Sequence, residues 1–297
     1  MKQFKGLGVA MVTPFNEDLS IDYPALQRLV DHMINGGVDY LVVQGTTGES
    51  ATINAEEKRS LLDFIIEVTA KRVPIVFGVG GNDTRAVCEI LKSWNFDGVD
   101  GILSVSPYYN KPTQEGIYRH YEALANSTEL PIILYNVPGR TASNMNAETT
   151  LRLAQDFSNI VAVKEASGDL DQISSIIQHK PSDFLVISGD DALTLPMITL
   201  GADGLISVVG NAFPAETSRL VNKAGDGDIE AAKNEHFKLK DIIENLFVEG
   251  NPAGVKECLK HAAISQNFVR LPLIPVSQVT SERLYRLMAE KELVRQL

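Results

Sequence analysis

Eight short runs of apolar, β-prone residues recur along the chain, with helix-like stretches between them. They lie at Gly6–Pro14, Tyr40–Gln44, Pro74–Gly80, Gly101–Ser106, Pro131–Val137, Ile160–Ala166, Phe184–Gly189 and Gly204–Val209. A spacing of roughly 30 residues is that of a strand–helix unit. Runs rich in Val and Ile, without clean polar alternation, fit strands buried on both faces, as in a parallel sheet. Between them, Leu26, Leu29, Val30 and Met33 share one helical face, as do Leu61, Leu62, Ile65 and Val68. Asn54 followed by Glu57 predicts a capped start to the second of these helices. Eight such units predict an α/β fold, a (β/α)8 TIM barrel, with an open doubly wound sheet as the alternative. Residues 1–225 are expected to form the barrel and residues 226–297 a C-terminal helical extension, with helices at Ala253–Ala263 and Thr280–Val294. The extension reads as an appendage rather than an independent catalytic domain.

Charge narrows the function. Asp and Glu total 38 against 27 Lys and Arg, a net charge of −11, so the basic footprint of a nucleic-acid binder is missing. No apolar run approaches the roughly 18 residues of a membrane span, and the N-terminus lacks a signal-like apolar core. Cys88 and Cys258 are far apart, have no CxxC spacing, and read as core thiols in a reducing compartment, which makes the cytoplasm the expected location. There is no GxGxxG or GxxxxGK[ST] motif, and the five histidines form no HExxH or zinc spacing. Most of those histidines fall in predicted helices and are expected at their surfaces. Asp190–Asp191 fits a helix cap better than a divalent-ion site.

In a barrel, reactive side chains come from strand C-termini and the loops that follow. Lys164 stands late in Ile160–Ala166, where an ammonium is costly to bury unless paired or in use. A lysine drawn out of water releases its proton more readily, and the neutral amine can form a Schiff base. Pairing with an acidic neighbour, or reaching out to solvent, is the bland alternative. Tyr135 ends the preceding run and would lie beside Lys164, as a proton relay or as packing. Arg140 follows a Pro–Gly turn and could hold a carboxylate at the barrel mouth, although a lone arginine there is commonly a surface residue. Thr46 and Thr47, in the Gly45–Glu49 loop, offer hydroxyls and amides to a small carboxylate, or simply cap a turn. Tyr108 and Tyr109 follow the fourth run and suit either an interface or a relay.

Six segments appear in order: VTPF at Val12–Phe15, GTTGES at Gly45–Ser50, SPYYNKP at Ser106–Pro112, LYNVPGRT at Leu134–Thr141, VKEASGD at Val163–Asp169 and SGDDA at Ser188–Ala192. Together they resemble the dihydrodipicolinate synthase branch of the pyruvate-dependent class I aldolases. The resemblance implies a Schiff-base aldol condensation of pyruvate with aspartate 4-semialdehyde, in diaminopimelate and lysine biosynthesis. It implies no metal and no separate cofactor, because Lys164 would be the covalent catalyst. It assigns Tyr135, Thr47 and Tyr109 to a proton relay, with Tyr109 supplied by a neighbouring subunit. Thr46 and Thr47 would hold the pyruvate carboxylate, Gly189 and Ile206 would line the pocket, and Arg140 would receive the second substrate's carboxylate. Gly139 stands where the family often has Ser, which would loosen that turn. The implied assembly is a homotetramer, a dimer of dimers.

Two other readings compete. N-acetylneuraminate lyases and keto-deoxy-sugar-acid aldolases share the lysine and tyrosine, but Arg140 and the GTTGE wording favour the synthase. A non-catalytic keto-acid sensor would be expected to lose Lys164 or Tyr135, and both are present. The resemblance also bears on feedback by L-lysine. Tyr108, Ala51 and Asn82 match the effector site of sensitive members, whereas Ala55, Lys58 and Ala86 replace its histidines and glutamate. Weak or absent inhibition is the expectation.

Overall fold

A computed structural model describes residues 2–294, so the last three residues of the expected extension lie outside the described residues. Eight strands form a closed barrel: β1 (Gly6–Ala10), β2 (Tyr40–Val43), β3 (Ile75–Gly78), β4 (Gly101–Val105), β5 (Ile132–Asn136), β6 (Ile160–Glu165), β7 (Leu185–Ser188) and β8 (Gly204–Ser207). Each pairs in parallel with its neighbours in sequence, and β8 closes on β1. The open-sheet alternative is thereby excluded. Every strand falls within a predicted run and stops short of its end, because the last residues of each run leave the sheet for the loop that follows.

The strands do alternate, but between two buried faces. On β6, Ala162 points into the barrel and Val163 into the layer beneath the helices. On β5, Ile133 and Tyr135 point inward while Ile132 and Leu134 point outward. Both faces are apolar, so the period of two does not show as polarity. Phe4 and Tyr40 meet edge to face, with ring centroids 5.9 Å apart, in the inner layer.

Polar residues at strand–helix junctions start the outer helices. Asp22, Asp83, Thr113, Asn146 and Asp169 each accept a hydrogen bond from a first-turn amide. Asn54 and Glu57 form the predicted reciprocal capping box. The last barrel helix, Pro214–Gly225, packs against Ile229–Leu246, and helices Ala253–His261 and Gln278–Glu290 follow. The two expected C-terminal helices are therefore present, each with slightly different ends. Cys88 and Cys258 are free thiols, and burial pushes the Cys258 thiol up. Among the described residues, no helix is long and apolar enough to cross a membrane.

One histidine departs from expectation. His120 is buried, with its Nδ1 2.9 Å from the Thr84 hydroxyl, and desolvation lowers its pKa to about 4. Its helix turns this residue toward a neighbouring helix rather than toward water.

The mouth of the barrel is stitched across the β8–β1 seam by Asn211. Its amide Nδ2 donates to the carbonyls of Ala10 (2.8 Å) and Val208 (3.0 Å), and its Oδ1 accepts from the Val12 amide (3.0 Å). A buried group that loses its partner costs about 1–3 kcal/mol, so Asn211→Ala should lose about 2–4 kcal/mol in urea unfolding. Unchanged stability would show that this seam does not depend on the side chain.

Candidate active site

The two parallel strands that carry the site place Tyr135 directly beside Lys164. Both side chains point into the barrel mouth and both are buried, at 7% and 4% exposure. The Lys164 Nζ lies 4.4 Å from the centroid of the Tyr135 ring. Among the described residues Lys164 makes no ion pair, so its amine has no carboxylate to neutralise it. The acidic neighbour in sequence is turned the other way. Glu165 faces outward, accepting from Asn136 Nδ2 at 3.1 and 3.2 Å, from Gln172 Nε2 at 3.0 Å and from the Ser167 amide at 2.8 Å. Burial raises the Glu165 pKa, and these donors pull it part of the way back. This network fixes β5 to β6 from behind and leaves the lysine free in front.

Lys164 opens into a cavity of about 220 Å³. Its walls include Thr46, Thr47, Tyr135, Arg140 and Gly189, so five of the sequence-derived candidates meet Lys164 here. Gly189 leaves the lysine its space. A Cβ at this position would sit 3.0 Å from both Cγ and Cε of Lys164 and 2.8 Å from the Ala166 Cβ. Arg140 stands in a single helical turn, Pro138–Thr141, held by its own amide on the Val137 carbonyl at 2.9 Å. A Cβ at Gly139 would meet no atom within 4 Å, so the turn does not depend on which small residue precedes Arg140.

Two candidates lie elsewhere. Ile206 is buried in the inner barrel layer and does not reach the cavity; Val208, two residues on, does. Tyr109 is 87% exposed, with φ of 74°, and is not part of the wall. Within one chain, the relay that the resemblance implies therefore lacks its third hydroxyl. Asn82 Nδ2 donates to the Tyr108 carbonyl at 3.3 Å, which ties this loop to the one after β3.

The structure adds wall residues that the sequence reading passed over, Ala10, Phe247 and Asn251 among them, and brings Asp190 and Asp191 to the wall as well. Asn251 Nδ2 donates to the Thr47 hydroxyl oxygen at 3.0 Å, leaving the Thr47 O–H to donate elsewhere. Asp190 does cap, accepting from the Ala192 amide at 2.9 Å. Asp191 does not cap; it is buried and accepts from Ser207 Oγ (2.5 Å) and from the amides of Val208 (2.9 Å) and Val209 (3.2 Å). Burial raises its pKa, and those three donors oppose the rise. Among the described residues no cluster of His, Cys, Asp and Glu could hold a metal ion. The two cations of the cavity, Lys164 and Arg140, are free to face an anionic ligand, whereas its two carboxylates already have donors. The arrangement suits covalent capture of a small keto acid.

The model of the dihydrodipicolinate synthetase family matches residues 3–291. The chain belongs to that family. It is 55% identical to a 4-hydroxy-tetrahydrodipicolinate synthase of Parabacteroides distasonis, over 99% of this chain and 97% of that protein. A protein of the same name from Phocaeicola vulgatus is 54% identical over 97% of each chain. The crystal structure of the dihydrodipicolinate synthase from Aquifex aeolicus superimposes with a TM-score of 0.95 at 39% identity, covering 99% of this chain and 100% of that one. The family is a lyase family in which a lysine forms a Schiff base with pyruvate and no separate cofactor takes part.

Gly189→Ala should push Lys164 out of place, and displacement of a reacting group by about 1 Å can cost about 100-fold in rate. A Gly189→Ala enzyme with wild-type turnover would show that the lysine tolerates the intrusion.

Proposed function

We propose that this chain condenses pyruvate with aspartate 4-semialdehyde to 4-hydroxy-tetrahydrodipicolinate, with Lys164 as the residue that forms the imine. The observation that carries this reading is a buried, unpaired lysine beside a tyrosine, in a cavity walled by two threonines and an arginine. The Lys164 amine adds to the keto carbon of pyruvate, and loss of water leaves a protonated imine. The iminium nitrogen accepts electrons, so the methyl group gives up a proton and an enamine forms. The enamine carbon bonds to the aldehyde carbon of the semialdehyde. The amino group of that substrate then adds to the imine carbon and expels Lys164, which regains its free amine.

Tyr135 and Thr47 relay protons in this scheme, and a second copy of the chain supplies Tyr109. The exposure of Tyr109 supports that role, because a side chain so far outside its own cavity is available to another. A dimer of dimers is the assembly proposed with it. Thr46 and Thr47 hold the pyruvate carboxylate, and Arg140 holds that of the semialdehyde. The free thiols Cys88 and Cys258 support a reducing, cytoplasmic location.

The experiment that tests this reading is Arg140→Ala. The proposed partner of Arg140 is the second carboxylate, so KM for the semialdehyde should rise while imine formation with pyruvate persists. Loss of a charge-assisted hydrogen bond costs about 1.5–3 kcal/mol, which is about 10- to 150-fold in kcat/KM. Equal losses toward both substrates would remove the assignment.

Feedback generates a second test. Lys58 is half-buried beside Ser50, and its ammonium is lowered in pKa by desolvation. A cationic effector would meet a like charge there and would find no carboxylate at Ala86. Titration with L-lysine at neutral pH should leave activity nearly unchanged; half-inhibition below millimolar lysine would contradict this.

A further inference from the structure

The loop that carries Thr46 and Thr47 is held from a distant part of the chain. Glu49 closes its helical turn: the Glu49 amide donates to the Thr46 carbonyl at 3.0 Å, and the Gly48 amide donates to the Gly45 carbonyl at 3.1 Å. Glu49 itself has φ of 57°, a left-handed conformation that favours glycine. Its side chain points into the protein instead of toward substrate. There, Lys256 Nζ donates to Oε1 at 2.5 Å and the Arg270 amide donates to Oε2 at 2.9 Å. The two charged side chains are 0% and 1% exposed. Lys256 also donates to the Phe268 carbonyl at 2.8 Å, and its ammonium lies 4.2 Å from the Phe15 ring centroid. The Arg270 guanidinium stands 4.5 Å from the same ring and pairs with Glu57, at the start of the next helix, at 2.6 Å.

A fully buried ion pair is a poor way to gain stability. Removing both charges from water costs about as much as their attraction returns, and an apolar pair of similar volume is often as stable. What such a pair does supply is a fixed distance and direction, because neither partner can move without leaving a buried charge alone. Here it joins the turn that ends at Glu49 to helix Ala253–His261, 207 residues further on. Asn251 reaches the Thr47 hydroxyl from the residues just before that helix.

We propose that Glu49 and Lys256 are positioning residues for pyruvate: their ion pair holds the Gly45–Gly48 turn so that the Thr46 and Thr47 hydroxyls meet the pyruvate carboxylate. The C-terminal extension thus takes part in substrate binding, through a contact that never touches substrate. This deepens the reading above and rests on its assignment of both threonines to that carboxylate.

The test uses the full-length enzyme and three variants. Glu49→Gln keeps the shape of the side chain and removes its charge. Burial already lowers Lys256 to about 8, so the amine can shed its proton when Glu49 is neutralised, and this variant should fold. Glu49→Gln/Lys256→Met removes both charges together. Lys180→Met, which breaks the partly buried Lys180–Asp203 pair, serves as the comparison for a purely structural loss. Each is assayed for thermal midpoint, for KM toward both substrates, and for the pyruvate concentration that half-saturates borohydride trapping on Lys164. Misplacing a binding group by a fraction of an ångström up to 1 Å predicts a rise of about tenfold or more in that concentration for both Glu49 variants. KM for the semialdehyde should not change, and Lys180→Met should lower the thermal midpoint while leaving both KM values alone. Wild-type half-saturation by pyruvate in either folded Glu49 variant would overturn the proposal, as would an equal rise for both substrates. If the unaltered enzyme forms no adduct on Lys164, the reading of the reaction falls first and this proposal falls with it.

Discussion

Everything at the mouth of the barrel is arranged around one buried amine without a counter-ion. Lys164 is nearly inaccessible in the chain and lacks any carboxylate among the described residues within ion-pair distance. Placing a cation so is unfavourable unless something offsets the lost hydration. The structure offers the face of the Tyr135 ring at 4.4 Å and an open cavity in front. It also removes the most obvious partner, because strand alternation sends Glu165 to the opposite face. There Asn136, Gln172 and the Ser167 amide hold it in place. A strand with Lys and Glu in succession thus places the lysine and the carboxylate on opposite faces, where they cannot pair.

The same alternation explains why the barrel is a good support for such a residue. Each strand contributes inward side chains to one packed layer and outward ones to another, so neither face has room to yield. Gly189 is the place where this packing opens, and the opening is shaped to the stem of Lys164. At the top of the barrel, backbone groups past the strand ends need partners, and polar side chains supply them: Asn211 across the β8–β1 seam, Asp191 on Ser207, Val208 and Val209. Both are buried polar groups with their donors and acceptors matched, which favours a single geometry over alternatives.

The strand order and the Tyr135–Lys164 contact were readable from sequence because they follow from regular spacing. Consecutive strands in a parallel barrel are neighbours, so residues late in two successive runs must meet. Thr46, Thr47 and Arg140 followed for the same reason, each standing just past a strand end, whereas Gly189 came only from the resemblance. Contacts that close over long separations were not readable. Asn251 lies 204 residues from Thr47, and nothing in its local pattern points to the cavity. The inward turn of His120 escaped notice because a single histidine does not alter a helical period. Ile206, which the resemblance placed at the pocket, is buried in the inner layer of β8, and Val208, two residues on, stands at the cavity wall.

The account stands on the claim that Lys164 is the amine that captures pyruvate. Incubating the enzyme with pyruvate, reducing with borohydride and mapping the digested peptides by mass addresses it directly. A pyruvate-derived addition confined to the peptide bearing Lys164, and absent together with turnover in Lys164→Ala, is the predicted result. An adduct on another lysine, or a Lys164→Ala enzyme that still turns over at the original rate, would contradict the account.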